Sequence, residues 1–101
     1  MIKLYQISEM KDRRRLMFRN YDFVQRHGGV DAAEYERVFE GDVGTDDLDR
    51  IYSVFNHYDL MPEGFAGRSM SVSDILVTDN GAFFCDSFGF VRLGGDEFPL
   101  K

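Results

Sequence analysis

At 101 residues, with 44% hydrophobic and 15% aromatic side chains, the chain suits one folded domain with a modest core and not a disordered segment. Its single cysteine, Cys85, excludes an internal disulfide, and no apolar run approaches the roughly 20 residues of a membrane-spanning helix. The net charge of −6 is unevenly spread: residues 1–27 carry seven basic against three acidic groups, and residues 28–101 carry five against 15.

Ile2 to Ile7 alternates with period two, which predicts a strand, and it lacks the apolar core of a signal peptide. Together with the cysteine usage this gives the expectation of a cytoplasmic protein. Glu9 to Arg15 reads as a polar connection, and Leu16-Met17-Phe18 as a second short strand. Asn20 is the expected N-cap of a short helix over 20–27, stopped by Gly28-Gly29. Tyr35 to Val43 reads as a strand with Tyr35, Arg37, Phe39 and Gly41 on one face and Val38 on the other. Its charges suit an exposed sheet edge.

The main helix is expected over 45–57. Thr45 would cap it, and Asp46, Asp47 and Asp49 occupy the first turn, where the helix dipole favours carboxylates. Leu48, Ile51, Tyr52 and Phe55 form one apolar stripe, and Pro62 and Gly64 prevent extension. Asp59 to Arg68 reads as a loop in which Phe65 anchors into the core.

Asn80-Gly81 between two apolar runs predicts a tight hairpin over 72–86, both turn residues accepting positive φ. The register expected from that turn sets Val77 opposite Phe84 and Leu76 opposite Cys85. Ser69, Ser71 and Ser73 alternate along the incoming strand. Both faces of the hairpin are apolar, which predicts a central position with a helix over one side. Ser87 to Gly89 breaks the returning strand, and Phe90 to Leu93 reads either as its continuation or as a further short strand. Gly94-Gly95 closes the expected domain, 1–93, and leaves 94–101 as a tail. The fold class is α+β: a small, mainly antiparallel sheet of four or five strands packed with one main and one short helix.

SVSDILV, a short turn, an aromatic-rich strand and CDSFGF together resemble the signature of the YodL-like domain family. LDRIYSVFN and MPEGFAGRSMSVSD resemble the family's helix and its linker, so the likeness is strongest over 45–93. The resemblance implies a module of bacterial mobile elements and phages, and it supplies no catalytic mechanism. By analogy of context, small acidic proteins of such elements resemble inhibitors of host defence nucleases, including anti-CRISPR proteins.

That background frames the charged segments. Asp31 to Asp49 holds eight carboxylates against Arg37 alone. It reads either as a surface for a basic partner, with Glu34, Glu36, Glu40, Asp42, Asp46 and Asp47 as contact residues, or as helix-start charge beside a solvated edge strand. Arg13, Arg14 and Arg15 invite phosphate, acidic residues or a guide RNA. The run lacks interleaved aromatics, however, which argues against direct nucleic-acid binding. Phe88, after the strand break, is the aromatic expected to stay exposed as an anchor.

Asp74, Asp86 and Ser87 belong to the signature, and all three can serve strand ends by accepting or donating backbone hydrogen bonds. A triad of Ser71 or Ser87 with His57 and Asp74 can be written, but no G-x-S-x-G turn accompanies it. His27, His57 and Cys85 lack metal-ligand spacing, and no glycine-rich phosphate loop is present, so no metal and no cofactor is expected. The expectation is a non-enzymatic protein-binding module whose partner is a host protein such as a defence nuclease or its guide-RNA complex. The alternative is an adaptor on a host structural or regulatory protein; no membrane association is expected, and the oligomeric state stays open.

Overall fold

The computed structural model describes residues 1–98. Seven elements follow one another: β1 (Ile2–Ile7), α1 (Tyr21–Arg26), β2 (Tyr35–Gly41), α2 (Leu48–Val54), β3 (Ile75–Thr78), β4 (Gly81–Cys85) and β5 (Phe90–Leu93). The strands form one five-stranded sheet in the order β2-β1-β3-β4-β5, antiparallel at every step. The α+β expectation holds, and β3 of the hairpin is the middle strand.

Strand alternation sends apolar groups to both sides of this sheet. Ile2, Leu4, Leu76 and Cys85 meet Ile51 of α2 and Phe55 at its C-cap. On the opposite side Ile7, Ile75, Ala82 and Phe84 meet Val24 of α1 and the buried Leu16. Burying a large aliphatic or aromatic side chain contributes roughly 1.5–3 kcal/mol. Two such layers therefore stand in for the disulfide that a single cysteine cannot make.

The helices obey local chemistry. Asn20 caps α1, its Oδ1 accepting the Phe23 N–H at 2.9 Å, and the Gly29 N–H closes the far end on Val24 O. In α2 the capping residue is Asp47, whose Oδ1 accepts the Arg50 N–H; Thr45 instead accepts the Asp47 N–H. The α-helix is thus Leu48–Val54, shorter than the expected 45–57, because the cap lies two residues later and Phe55 closes the other end.

Five further expectations are corrected. Leu16 to Phe18 is a turn and not a strand: both Asp12 carboxylate oxygens take N–H groups there, from Leu16 and Met17, and Phe18 adopts φ 68°. The hairpin pairs Ile75 with Phe84, Leu76 with Phe83 and Val77 with Ala82, two residues away from the expected register. Its loop is Asp79-Asn80; neither residue has positive φ, and Gly81 alone does, at 129°. A two-residue shift leaves every side chain on its expected face. The incoming strand begins at Ile75, since Ser73 sits at φ 83° and turns the chain before it. Residues 94–98 are no tail, for Phe98 is 5% exposed and its ring packs edge-on against Tyr5 and Tyr35. The remainder of that expected tail, 99–101, lies outside the described residues.

Edge strand β2 carries a bulge. Leu4 pairs with Phe39 and Tyr5 with Arg37, so Val38 is an extra residue. The bulge buries Val38 and Phe39 side by side and turns Arg37 out to solvent, which breaks the expected grouping of Arg37 with Phe39. It also frees Val38 O to accept the Ala66 N–H at 3.0 Å, which brings the 61–74 connection across the sheet end. Gly67 has no room for a side chain: a Cβ would collide with Gln6 Oε1 and lie 2.9 Å from Val38 Cβ. Gly67→Ala is expected to lower stability by about 1–3 kcal/mol in urea unfolding, with Gly95→Ala, where nothing lies nearby and the backbone is not left-handed, as the control for a glycine replaced without a clash.

Candidate interaction site

The signature residues divide into a buried clasp and an exposed turn. The clasp begins at Gln6, which falls on the same inward face of β1 as Ile2 and Leu4 and is 1% exposed. An amide there must be satisfied internally. Its Nε2 donates to Arg68 O at 2.7 Å and to Asp74 Oδ2 at 3.0 Å, while its Oε1 accepts the Arg68 N–H at 3.1 Å. Asp74 Oδ2 accepts the Ser71 N–H as well, and the Asp74 main chain accepts the Cys85 N–H.

Around this centre, the Arg68 guanidinium donates to Ile7 O and stands 4.0 Å from Asp74 Oδ1, with its face over the Phe18 ring. Tyr35 donates its hydroxyl to Ser73 O at 2.6 Å, and Ser73 Oγ accepts the Phe18 N–H. Burial raises the Tyr35 phenol well above its ordinary value. The Asp74 carboxyl is completely buried. That burial pushes its pKa up to about 7, against the opposing effect of the Ser71 and Gln6 hydrogen bonds and of Arg68. Displaced carboxyls often mark chemistry, but this one has no exposed surface and its partners are the segments it ties together. Its role on this geometry is to fix 66–74 onto β1 and β4.

His57 does not join it. The His57 Nδ1 lies 2.7 Å from Ser53 O and 3.2 Å from Ser53 Oγ, one turn back on α2. Among the described residues neither Ser71 nor Ser87 is hydrogen-bonded to His57, so the triad that can be written from sequence is not assembled. Among the same residues no group of three or more His, Cys, Asp or Glu side chains is placed to hold a metal ion. Cys85 is buried, and burial lifts its thiol to about 12, which keeps it protonated.

The second part of the signature forms a reverse turn between β4 and β5. The Asp86 N–H donates to Gly89 O at 2.9 Å, and Gly89 supplies φ 76°. Asp86 Oδ1 accepts the Ser87 N–H and, from across the molecule, the N–H of Tyr21 at the start of α1. Asp86 thus fastens this turn to a helix, and the turn presents Phe88, 97% exposed, at its tip. Beside it runs a groove of about 240 Å³ whose walls include Asp49 and Tyr52 of α2, Val72, Asp86 and Phe90. Tyr52, assigned to the core stripe by periodicity, is 38% exposed and belongs to this wall.

The charged segments are only partly free. Arg14 forks onto both oxygens of Glu34 and donates to His27 O, so the middle of KDRRR and the start of the acidic segment neutralise each other. The Glu34 hydrogen bond raises the Arg14 pKa further. Arg13 and Arg15 are exposed, beside Glu9 and Asp12. Glu40 pairs with Arg37, Asp42 accepts the Gly44 N–H and Asp47 caps α2. Glu36, Asp42, Asp46 and Asp49 are exposed and form no ion pair among the described residues. The structure therefore does not gather the ten expected contact residues into one surface.

Gln6, Asp49 and Tyr52 were absent from the residues expected to matter. Gln6 carried a signal, being an amide at an inward position of an otherwise apolar strand face. Asp49 and Tyr52 carried none, because only the docking of α2 beside the 86–89 turn makes a groove of them. The model of the YodL-like domain family matches residues 1–95, so the likeness seen at 45–93 extends through β1 and β2. No curated protein and no solved structure matches the chain.

Because folding raises the Asp74 pKa above an unfolded value near 4, the folded state binds this proton more tightly. Its contribution to stability is complete below about pH 4 and is lost as the pH rises through about 7. Chemical denaturation across pH 4.5–8 should show that decline, and Gln6→Leu and Asp74→Ala should each lower stability by about 2–4 kcal/mol by stranding buried partners.

Proposed function

The chain belongs to the YodL-like domain family, and we propose that it works as a non-enzymatic protein-binding module of a mobile genetic element, inhibiting a defence nuclease of the host. The observation that carries the binding reading is Phe88. Burying a phenylalanine contributes roughly 1.5–3 kcal/mol, yet this ring stands 97% exposed on a turn that is closed by the Asp86 to Gly89 hydrogen bond and tied to α1 through Tyr21. Single exposed apolar residues are ordinary on protein surfaces. A fully exposed aromatic on a fastened turn beside a groove is the arrangement of an interface anchor, since little conformational freedom is lost when it docks.

The partner's chemistry follows from charge. Glu36, Asp42, Asp46 and Asp49 remain exposed and outside ion pairs among the described residues, and the net charge is −6. A basic surface, such as the nucleic-acid channel of a nuclease, is the complement that such a distribution attracts, chiefly by raising the association rate. No helix of the described residues is long and apolar enough to cross a membrane. The cytoplasm, where defence nucleases meet incoming elements, is the location proposed.

Phe88→Ala should leave stability within about 0.5 kcal/mol of the parent protein and weaken partner binding at least about tenfold. Binding measured from 0.05 to 0.5 M salt should weaken progressively. Protection of an infecting phage should require a nuclease-armed host. Unchanged capture by Phe88→Ala would sink the binding site. A growth or shape defect in hosts without any defence system would favour the adaptor role over nuclease inhibition.

A further inference from the structure

We propose that the groove beside Phe88 receives one arginine side chain from the partner protein, an assignment that rests on the binding reading above. The volume sets the first limit. At about 240 Å³ the groove is smaller than the roughly 300–1,000 Å³ of sites that enclose small molecules or cofactors, and it suits one long side chain.

Charge sets the second. Asp49 stands on the α2 wall and Asp86 on the turn, and among the described residues no cationic side chain is part of the lining. Asp49 has no ion-pair partner among the described residues, and Asp86 commits its Oδ1 to the Tyr21 and Ser87 N–H groups while its Oδ2 accepts no hydrogen bond there. Two carboxylates facing a shared space repel each other and attract a cation. Between them the surface is apolar and aromatic: Val72, Phe90 and the half-exposed ring of Tyr52. That composition matches arginine in its parts. The methylene stem lies along Val72 and Phe90, and the weakly hydrated planar guanidinium covers an aromatic face while its N–H groups reach carboxylates.

Phe88 lies in the chain between two lining residues, Ser87 and Gly89, which sets an apolar anchor next to a charge-selective recess. A second copy of this chain is the occupant that charge opposes. Its own Phe88 is flanked by Asp86, which would enter a recess already holding Asp49 and Asp86, between molecules of net charge −6.

The recess can be tested without the partner. The probe is the blocked tripeptide acetyl-Gly-Arg-Gly-amide at millimolar concentration, followed by amide NMR shifts of the whole chain, with the leucine and glutamate tripeptides in parallel. Saturable shifts at Asp49, Tyr52, Val72 and Ser87 are expected for arginine alone, weakened at least threefold by Asp49→Asn and by 0.5 M salt. Equal shifts with leucine, an absence of shifts with arginine, or a response indifferent to Asp49→Asn would overturn the assignment. The two readings fail separately. Partner binding that needs Phe88 while the arginine peptide gives no shift removes the recess and leaves the binding module. Concentration-dependent self-association lost in Phe88→Ala would replace the arginine-bearing partner with a second copy.

Discussion

The hydrogen bonds of Gln6 to Asp74 and Arg68 are the constraint on which the rest of the architecture depends. The connection from α2 to β3 has no regular backbone pairing of its own along most of its length, and its main-chain groups need partners when they pass over the sheet. Gln6 supplies them in both senses, accepting from the Arg68 N–H and donating to Arg68 O. Asp74 then takes the remaining Gln6 proton and the Ser71 N–H, and its own carbonyl receives the Cys85 N–H. One amide and one carboxylate thereby join β1, the connection and β4. Met70 is set in the core and Val72 in the groove as consequences of that path.

A buried carboxylate is a costly way to achieve this, since desolvation opposes its charge. What it provides that an apolar residue cannot is a fixed register for an irregular segment. Met70 or Phe65 would pack acceptably in several positions along an apolar surface, whereas donors and acceptors at 2.7–3.1 Å admit one. The same reasoning applies at Asp86, which joins the 86–89 turn to the start of α1. The two signature aspartates thus fix irregular backbone, and they determine where the exposed residues between and beside them point.

Local signals carried much of this fold into the sequence. Ile2–Ile7 is legible to the residue and α1 to within one at each end, because alternation and an Asn cap act within a few positions, and a glycine break marks where Phe90–Leu93 begins. The hairpin's existence was legible and its register was not, since Thr78 and Gly81 close a loop that the Asn80-Gly81 pair suggests one step later. Thr78 Oγ1 accepting the Asn80 N–H stabilises the observed choice. Long-range partners were beyond reach: nothing near Arg14 announces Glu34, and nothing near Gly95 announces that Phe98 returns to Tyr5 and Tyr35. For the candidate site, Phe88 could be singled out from the strand break, while its groove depends on a helix that lies more than thirty positions upstream.

The contrast between the two halves of the chain also changes meaning once folded. A basic first quarter and an acidic remainder suggest two opposed surfaces, but Arg14 and Glu34 meet as a largely buried fork and remove one member of each. What survives at the surface is a diffuse negative field from groups such as Glu36, Asp42 and Asp46, together with one local concentration at Asp49 and Asp86. A diffuse field falls away within about 8–10 Å at physiological salt and mainly accelerates encounter. Residence requires contacts that exclude water. Among the described residues, the 86–89 turn with α2 beside it combines an exposed aromatic, an apolar recess and carboxylates outside ion pairs. Specificity for a partner is therefore expected to reside there, and the acidic edge strand to govern how fast that partner arrives.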